Sequence, residues 1–582
     1  MQNPASKSIL IYTGCLLILF TSFSCKKDKK IEEIPTPLPP VEEVVTVVPV
    51  NDPGIAKTMG FFVDDWQSKT FTAPAFVDGT LPASTSNTIT VDASSIITKI
   101  PQSTFGQNAV WWMGRPSAQA ITDVKNLHPH IIRFPGGNSS NNYFWNAEQD
   151  VLPADVPMTY LDDKGASHPA GYNYGKTNHD WEFNLEKYYA TLLQTGNQGI
   201  ISVNYSYARY STANTPLANA AHLAAEWVRF DNGRTKYWEI GNEHYGSWQV
   251  GYMIDVSQNK DGQPAIINGD LYGKHVKVFI DSMQKAATEI GKKIYIGAVA
   301  HETPSPESWQ TNTTKTWNSG MMKSAADKPD FYVVHNYFTN SENVNAATIL
   351  TSATTVPGAM MTFVTQELQT NGATVKPIAF DEWNMFALGS KQQVSNVSGL
   401  FAVLVQGEAI KNKYGMTARW DMINGWDGGN DHGLFSPGNE PGIDKWSPRP
   451  SFYYMYYFHK LLGDRLVPNS IVGNATLKTY SSTYTSGQAN VNIVNTAETA
   501  QTVLVKFINF IPGDRFYWYI LEGGTDNGEF SRKVLVNGVG TTLEAGGPTD
   551  YAGLKARSAV TTQGIKVTVP GRGAVFIVVD KK

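Results

Sequence analysis

The sequence predicts an α/β protein, a (β/α)8 TIM barrel carrying a C-terminal antiparallel β-sandwich domain. Three observations point there. Between residues 103 and 421, short apolar runs alternate with longer segments whose apolar residues recur every three or four positions, as amphipathic helices require. Eight such runs can be counted, the number that closes a parallel barrel. Past residue 450 the pattern becomes short runs of period two separated by Gly, Asn and Asp, the mark of antiparallel strands.

Taken in order, residues 1–25 read as a lipoprotein signal peptide. Lys7 precedes an apolar stretch, 9–20, too short for a comfortable bilayer span, and Ser22-Phe23-Ser24-Cys25 follow, ahead of the lysine-rich residues 26–30. Small residues around Cys25 resemble a bacterial lipobox, whose cysteine is lipidated, although Ser22 stands where that motif usually has leucine. The expectation is a secreted protein, lipid-anchored to the outer membrane at the cell surface or in the periplasm; a plain cleaved signal is the alternative. Cys15 and Cys25 are the only cysteines, so cysteine catalysis and disulfides are not expected downstream. Residues 26–55 are charged and Pro-rich and read as a flexible tether. Residues 56–102 form an N-terminal segment expected to join the sandwich in part, through a strand at 88–91.

The barrel is placed at 103–455. Its strands are expected at 104–108, 130–134, 199–204, 237–241, 294–299, 331–335, 377–381 and 416–421, with helices such as 181–193, 217–230, 274–290 and 394–411. Segment 309–326, between the fifth and sixth strands, is polar and irregular for a helix. The sandwich is placed at 456–582, with strands at 477–484, 489–495, 502–507, 515–521, 565–569 and 574–579.

Net charge is −4, and no basic run exists beyond the first thirty residues, so nucleic acid is not an expected partner. Fifteen Trp and twenty-seven Tyr suit the apolar faces of sugars, and also suit cores.

Functional groups of such a barrel sit where its strands end. The second strand leads into Arg133-Phe134-Pro135-Gly136-Gly137-Asn138, the fourth into Tyr237-Trp238-Glu239-Ile240-Gly241-Asn242-Glu243, and the sixth into His335-Asn336-Tyr337. The seventh leads into Phe380-Asp381-Glu382-Trp383-Asn384, and the eighth into Arg419-Trp420-Asp421 and then Trp426. Glu243 and Glu382 thus face each other across the mouth. Two carboxyls about 5–5.5 Å apart suit double displacement at a glycosidic carbon, one as nucleophile and one as proton donor, with no metal or organic cofactor needed. Asp381 is expected to point away from Glu382, because neighbouring strand residues alternate sides.

These strings resemble the clan A retaining glycoside hydrolases, and 133–137, 237–243 and 381–384 are most similar to the family 51 α-L-arabinofuranosidases. The resemblance implies Glu243 as acid/base, Glu382 as nucleophile and Asn242 as the contact to the sugar 2-hydroxyl. It further implies that Arg133 orients the nucleophile, and that His335 and Tyr337 line the subsite and hold its carboxylate. Asn138 belongs to the second-strand string and counts among the substrate-binding candidates. Trp426 is a sugar-stacking candidate, and Trp112 either lines the glycone pocket or packs. His244-Tyr245-Gly246 after the acid/base, and residues 449–454, depart from the family pattern and leave the substrate open.

His128-Pro129-His130 precedes the second strand, on the face opposite the mouth, and is read as structural rather than as a metal site. His301-Glu302 faces the mouth and is read as substrate contact. The favoured function is retaining hydrolysis of a carbohydrate, with α-L-arabinofuranosidase as the best single reading. The alternatives are an endo-acting clan A hydrolase on a β-linked backbone, and a non-catalytic glycan-binding lipoprotein. The insert at 146–180 leans toward a walled pocket.

Overall fold

Eight strands pair in parallel and close on themselves: Gly106–Asn108 (β1), Ile131–Phe134 (β2), Gln198–Val203 (β3), Tyr237–Ile240 (β4), Tyr295–Val299 (β5), Phe331–Tyr337 (β6), Ile378–Asn384 (β7) and Met416–Arg419 (β8). Each is followed by a helix: Ala118–Leu127 (α1), Leu185–Thr195 (α2), Pro216–Asp231 (α3), Gly269–Glu289 (α4), Asn312–Ala325 (α5), Ala346–Thr370 (α6), Asn396–Lys411 (α7) and Pro450–Leu461 (α8). The computed structural model describes residues 51–582 apart from 129, 305–306 and 340–342. The signal peptide with Cys25, and most of the tether, lie outside the described residues.

Helix ends follow local chemistry. The Asn184 side chain accepts from the Lys187 N–H to start α2, and Gly196 in the left-handed region ends it. Asn268 starts α4 in the same way, accepting from the Leu271 N–H. The polar segment after β5 is helical as well. Thr311 and Thr314 form a reciprocal cap, and the buried face repeats at helical spacing as Thr313, Thr314, Trp317, Asn318, Met321, Met322 and Ala325. Three of those seven residues are polar, and their polar atoms are used. Thr314 Oγ1 donates to the Tyr245 carbonyl (2.8 Å), and Asn318 exchanges two bonds with the His301 backbone. The helix also lies close against α4, where a Cβ on Gly269 would meet the Trp317 carbonyl oxygen at 2.1 Å.

The N-terminal segment does two jobs. Gly60–Val63 closes the floor of the barrel, with the Phe61 ring stacked on Tyr295 (3.7 Å between centroids) and Phe62 packed among Ile131, Ile200, Phe331 and Met416. Phe76–Asp78 and Asn87–Asp92 then pair in parallel with sandwich strands Ala556–Val560 and Gln501–Ile508. The two sheets of the sandwich are otherwise antiparallel. Helix α8 spans the position, 455, where barrel was expected to give way to sandwich. Its run of aromatics has no polar face because it is buried between the two layers: Tyr457 packs on Tyr519 and Phe458 on Phe576.

Candidate active site

Arg133, fully buried at the end of β2, organises the mouth. Its Nη1 donates to Glu382 Oε2 (2.7 Å) and Asn108 Oδ1 (2.9 Å), its Nη2 to Asn242 Oδ1 (2.8 Å) and its Nε to Glu239 Oε1 (2.7 Å). Tyr337 Oη donates to Glu382 Oε1 at 2.9 Å, so both oxygens of that carboxylate are held. Because Asn242 Oδ1 is taken by Arg133, its Nδ2 turns toward the mouth, 3.5 Å from Asn138 Oδ1. Gln249 donates to Asn138 Oδ1 (2.6 Å) and to Glu243 Oε2 (3.3 Å), and Trp248 Nε1 donates to the same Glu243 oxygen at 3.0 Å. Glu243 adopts φ 49°, the left-handed region that a non-glycine residue enters at a cost.

His335 bridges the two glutamates. Its Nδ1 lies 3.0 Å from Glu243 Oε1 and 3.8 Å from Glu382 Oε2, while Nε2 lies 3.2 Å from Asp381 Oδ1. Burial alone would push the imidazole down. The Glu382 charge and the bonds to Asp381 and Glu243 override it and hold His335 well above its usual range, so the ring is protonated.

Asp381 does not point away from the site. Pairing of β6 with β7 jumps from Val333–Ala379 to His335–Glu382, which puts one extra residue in β7. That bulge turns Asp381 and Glu382 to the same side, and both face Arg133. Strict alternation, assumed from the sequence, fails at this point.

Beneath the mouth, Arg133 and His335 supply two positive charges against four carboxyls: Glu239, Asp381, Glu243 and Glu382. Burial, with the Asp381 charge added, outweighs Arg133 and pushes Glu239 up to about 8, so Glu239 holds a proton near neutrality. Asp381 is opposed by burial, but Arg133 and His335 keep it below the usual carboxylate range. For the catalytic pair, burial together with the Glu243 charge raises Glu382 against the pull of His335 and Arg133. Glu243, also opposed by burial, is drawn down by its bond to His335. The two directions place the pair's proton toward Glu382 rather than Glu243. Titration belongs to the pair rather than to either residue.

Two sets, Glu243–His335–Glu382 and Glu239–His335–Asp381, have ligand atoms within 4.8 Å of one another, close enough to hold a cation. A metal would require a neutral imidazole; in this structure His335 lies at the centre of an ion-pair network with Glu243, Glu382 and Asp381.

The remaining expected residues divide. Trp112 is half-buried, its edge toward Trp420 (6.5 Å), whose ring covers Gly136 and Gly137; a Cβ on Gly137 would meet that ring at 2.7 Å. Trp426 makes its ring contacts elsewhere, with the guanidinium groups of Arg449 (5.8 Å) and Arg532 (5.1 Å). His128 and His130 line a cavity of about 470 Å³ at the other end of the barrel, and burial pushes His130 down to about 4. Asn108, Trp248 and Gln249 were not singled out from the sequence. Glu239 had a signal, a carboxyl two positions before Gly241 and four before Glu243, on the inward face of a strand that is otherwise apolar.

No family model matches the chain. The intracellular exo-α-(1→5)-L-arabinofuranosidase of Acetivibrio thermocellus is 24% identical over 272 residues, covering 45% of this chain and 48% of that protein. The chain spans about half the length of the curated relatives it matches. The solved α-L-arabinofuranosidase of Thermotoga maritima, in complex with arabinose, superposes with a TM-score of 0.57 at 18% identity, over 85% of this chain and all of that one. A bifunctional glucanase-xylanase from a metagenome library gives 0.54 at 12% identity, over 85% of this chain and 99% of that one. The solved structures share the barrel-and-sandwich fold, and in sequence the chain is similar to α-L-arabinofuranosidases.

Proposed function

We propose that the chain is a retaining glycosidase, with α-L-arabinofuranoside as its substrate. The observation that carries the reading is the approach of Glu243 and Glu382, whose carboxylate oxygens come within 4.8 Å around His335. That approach suits a retaining pair (~5–5.5 Å) better than an inverting one (~6.5–9.5 Å). Glu382, gripped by Arg133 and Tyr337, attacks the anomeric carbon. Glu243 gives its proton to the leaving oxygen and later takes one from water, while Asn242 Nδ2 offers a donor to the sugar 2-hydroxyl. The arabinofuranoside choice is supported by the names of the curated relatives. Secretion and lipid anchoring through Cys25 are part of the same proposal and rest on residues 1–25. Cys25→Ser is expected to release the protein from membranes.

The test is hydrolysis of 4-nitrophenyl α-L-arabinofuranoside by wild type, Glu243→Ala and Glu382→Ala. Both variants lose activity, and azide restores Glu382→Ala with formation of a glycosyl azide of inverted configuration. Undiminished turnover in either variant removes the two-glutamate assignment. Turnover of a β-linked polymer in place of the arabinofuranoside favours the endo-acting alternative.

A further inference from the structure

On the acid/base side the mouth opens into a cavity of about 920 Å³, at the upper end of the ~300–1,000 Å³ usual for small-molecule sites. Glu243 lines it and Glu382 does not. One wall is an aromatic shelf. Trp248, tied to Glu243 through Nε1, meets the edge of Trp309 at 5.3 Å, and the two rings stay 45% and 40% exposed. The opposite wall is apolar, with Met360 from α6 and Phe386 after β7. Deeper in, Glu302 Oε1 accepts from Asn336 Nδ2 (2.9 Å), and Glu302 Oε2, buried, has no hydrogen-bond partner among the described residues. Among the described lining residues the only basic group is His335, already engaged by the catalytic carboxyls.

We infer that this cavity is the leaving-group subsite, and that it accepts a neutral sugar ring on the Trp248–Trp309 shelf with a hydroxyl at Glu302, and rejects a uronate. The inference rests on the glycosidase reading, because that reading makes Glu243 the group that protonates the departing oxygen. Whatever leaves must then lie on the Glu243 side, where this cavity is. Exposed rings beside a catalytic group provide a flat, weakly polar surface for the apolar face of a sugar. Burial pushes Glu302 up to about 7, so near neutrality the group can both donate to and accept from a hydroxyl. A uronate would bring a carboxylate beside Glu302, Glu307 and Glu243 with no free cation among the described lining residues to meet it, and like charges placed together are disfavoured.

Transfer from the glycosyl-enzyme reads this subsite directly. An acceptor hydroxyl attacks the anomeric carbon; the new C–O bond forms as the ester bond to Glu382 breaks. The electron pair returns to the Glu382 carboxylate, and the hydroxyl proton passes to Glu243. With 2,4-dinitrophenyl α-L-arabinofuranoside as donor, methyl β-xylopyranoside is expected to divert the intermediate at least about tenfold better than methyl β-glucuronide, a difference of ~1.4 kcal/mol. Trp309→Ala should lower the transfer-to-hydrolysis ratio for the xyloside by about tenfold, and Glu302→Leu should lower it similarly, whereas Glu302→Gln keeps it. Because both products come from one intermediate, the ratio is independent of the rate of its formation. Equal diversion by the glucuronide, or an unchanged ratio in Trp309→Ala, overturns the inference.

Fluorescence titration of the resting enzyme with xylotriose and trigalacturonate gives a second readout that needs no turnover. The neutral trisaccharide binds, and Trp309→Ala weakens it; failure of xylotriose to bind overturns the inference. Binding without any release of dinitrophenolate overturns the arabinofuranoside choice instead and leaves the subsite standing.

Discussion

Arg133 is a single buried cation that contacts Glu382, Asn242 and two carboxyls beneath them, Glu239 and Asp381. Its partners differ in charge state, and that difference can be tested. Glu239, pushed up to about 8 by burial, already behaves as a neutral hydrogen-bonding group. Glu239→Gln is therefore expected to hold kcat/KM within about threefold near pH 6.5, under 1 kcal/mol of barrier. Asp381 is the charged member and the partner of His335 Nε2. Asp381→Asn should lower kcat/KM by at least about tenfold and move the alkaline limb of its pH profile to lower pH, as His335 loses a charge that keeps it protonated. Equal losses in both variants, or an unmoved limb in Asp381→Asn, would show the two carboxyls to be equivalent.

Two elements place the site without touching it. The Thr311 cap starts α5, whose buried polar face holds the loops after β4 and β5 through Tyr245 and His301. Thr311→Ala should cost about 1 kcal/mol, read by chemical denaturation. Thr314→Val removes the bond to Tyr245 as well as half of the cap, and should cost more than Thr311→Ala by about 1 kcal/mol. At the other end, Phe62 is almost wholly buried in the barrel floor. Phe62→Ala should cost ~3–5 kcal/mol, the usual range for a large aromatic cut from a core. A loss below ~1 kcal/mol would mean that the N-terminal turn is an accessory rather than part of the barrel.

The whole molecule buries titratable groups of two kinds, and they act in opposite directions with pH. Burial pushes His130, His275 and His301 down to about 4, and His244 and His432 to about 3. The unfolded chain takes up those protons first as pH falls, so their contribution is lost from about 6.5 down towards 4. Burial pushes Glu239 up to about 8 and Glu302 to about 7, so the folded state keeps protons that the unfolded chain has released. Their contribution is lost as pH rises from about 4.5 through 7 and 8. The Tm is thus expected to peak near pH 6.5. The deficit of Glu239→Gln relative to wild type should shrink, or become a gain, between pH 6 and 8.5; a constant difference would show that Glu239 does not titrate on unfolding.

The barrel strands and the order of the motifs at their ends were legible in the sequence, because short apolar runs between helical periods, and strand-end position, are local consequences of backbone geometry. So was Arg133, through its place at the end of β2. Other features depended on partners distant in the chain. The bulge that brings Asp381 inward exists only in the pairing of β7 with β6. The polar face of α5 is stable only because backbone groups of Tyr245, Ile267 and His301 meet it. The aromatic helix α8 has no visible periodicity because sandwich and barrel bury it from both sides. Trp426 stands at a plausible distance after β8, yet its ring goes to Arg449 and Arg532. The sequence by itself determined which groups stand at the mouth, since periodicity and strand ends are properties of a short stretch of chain. Only the tertiary structure decided which carboxyls share protons and which aromatics border the cavity beside Glu243, since charge coupling and burial depend on neighbours that the chain brings together in folding.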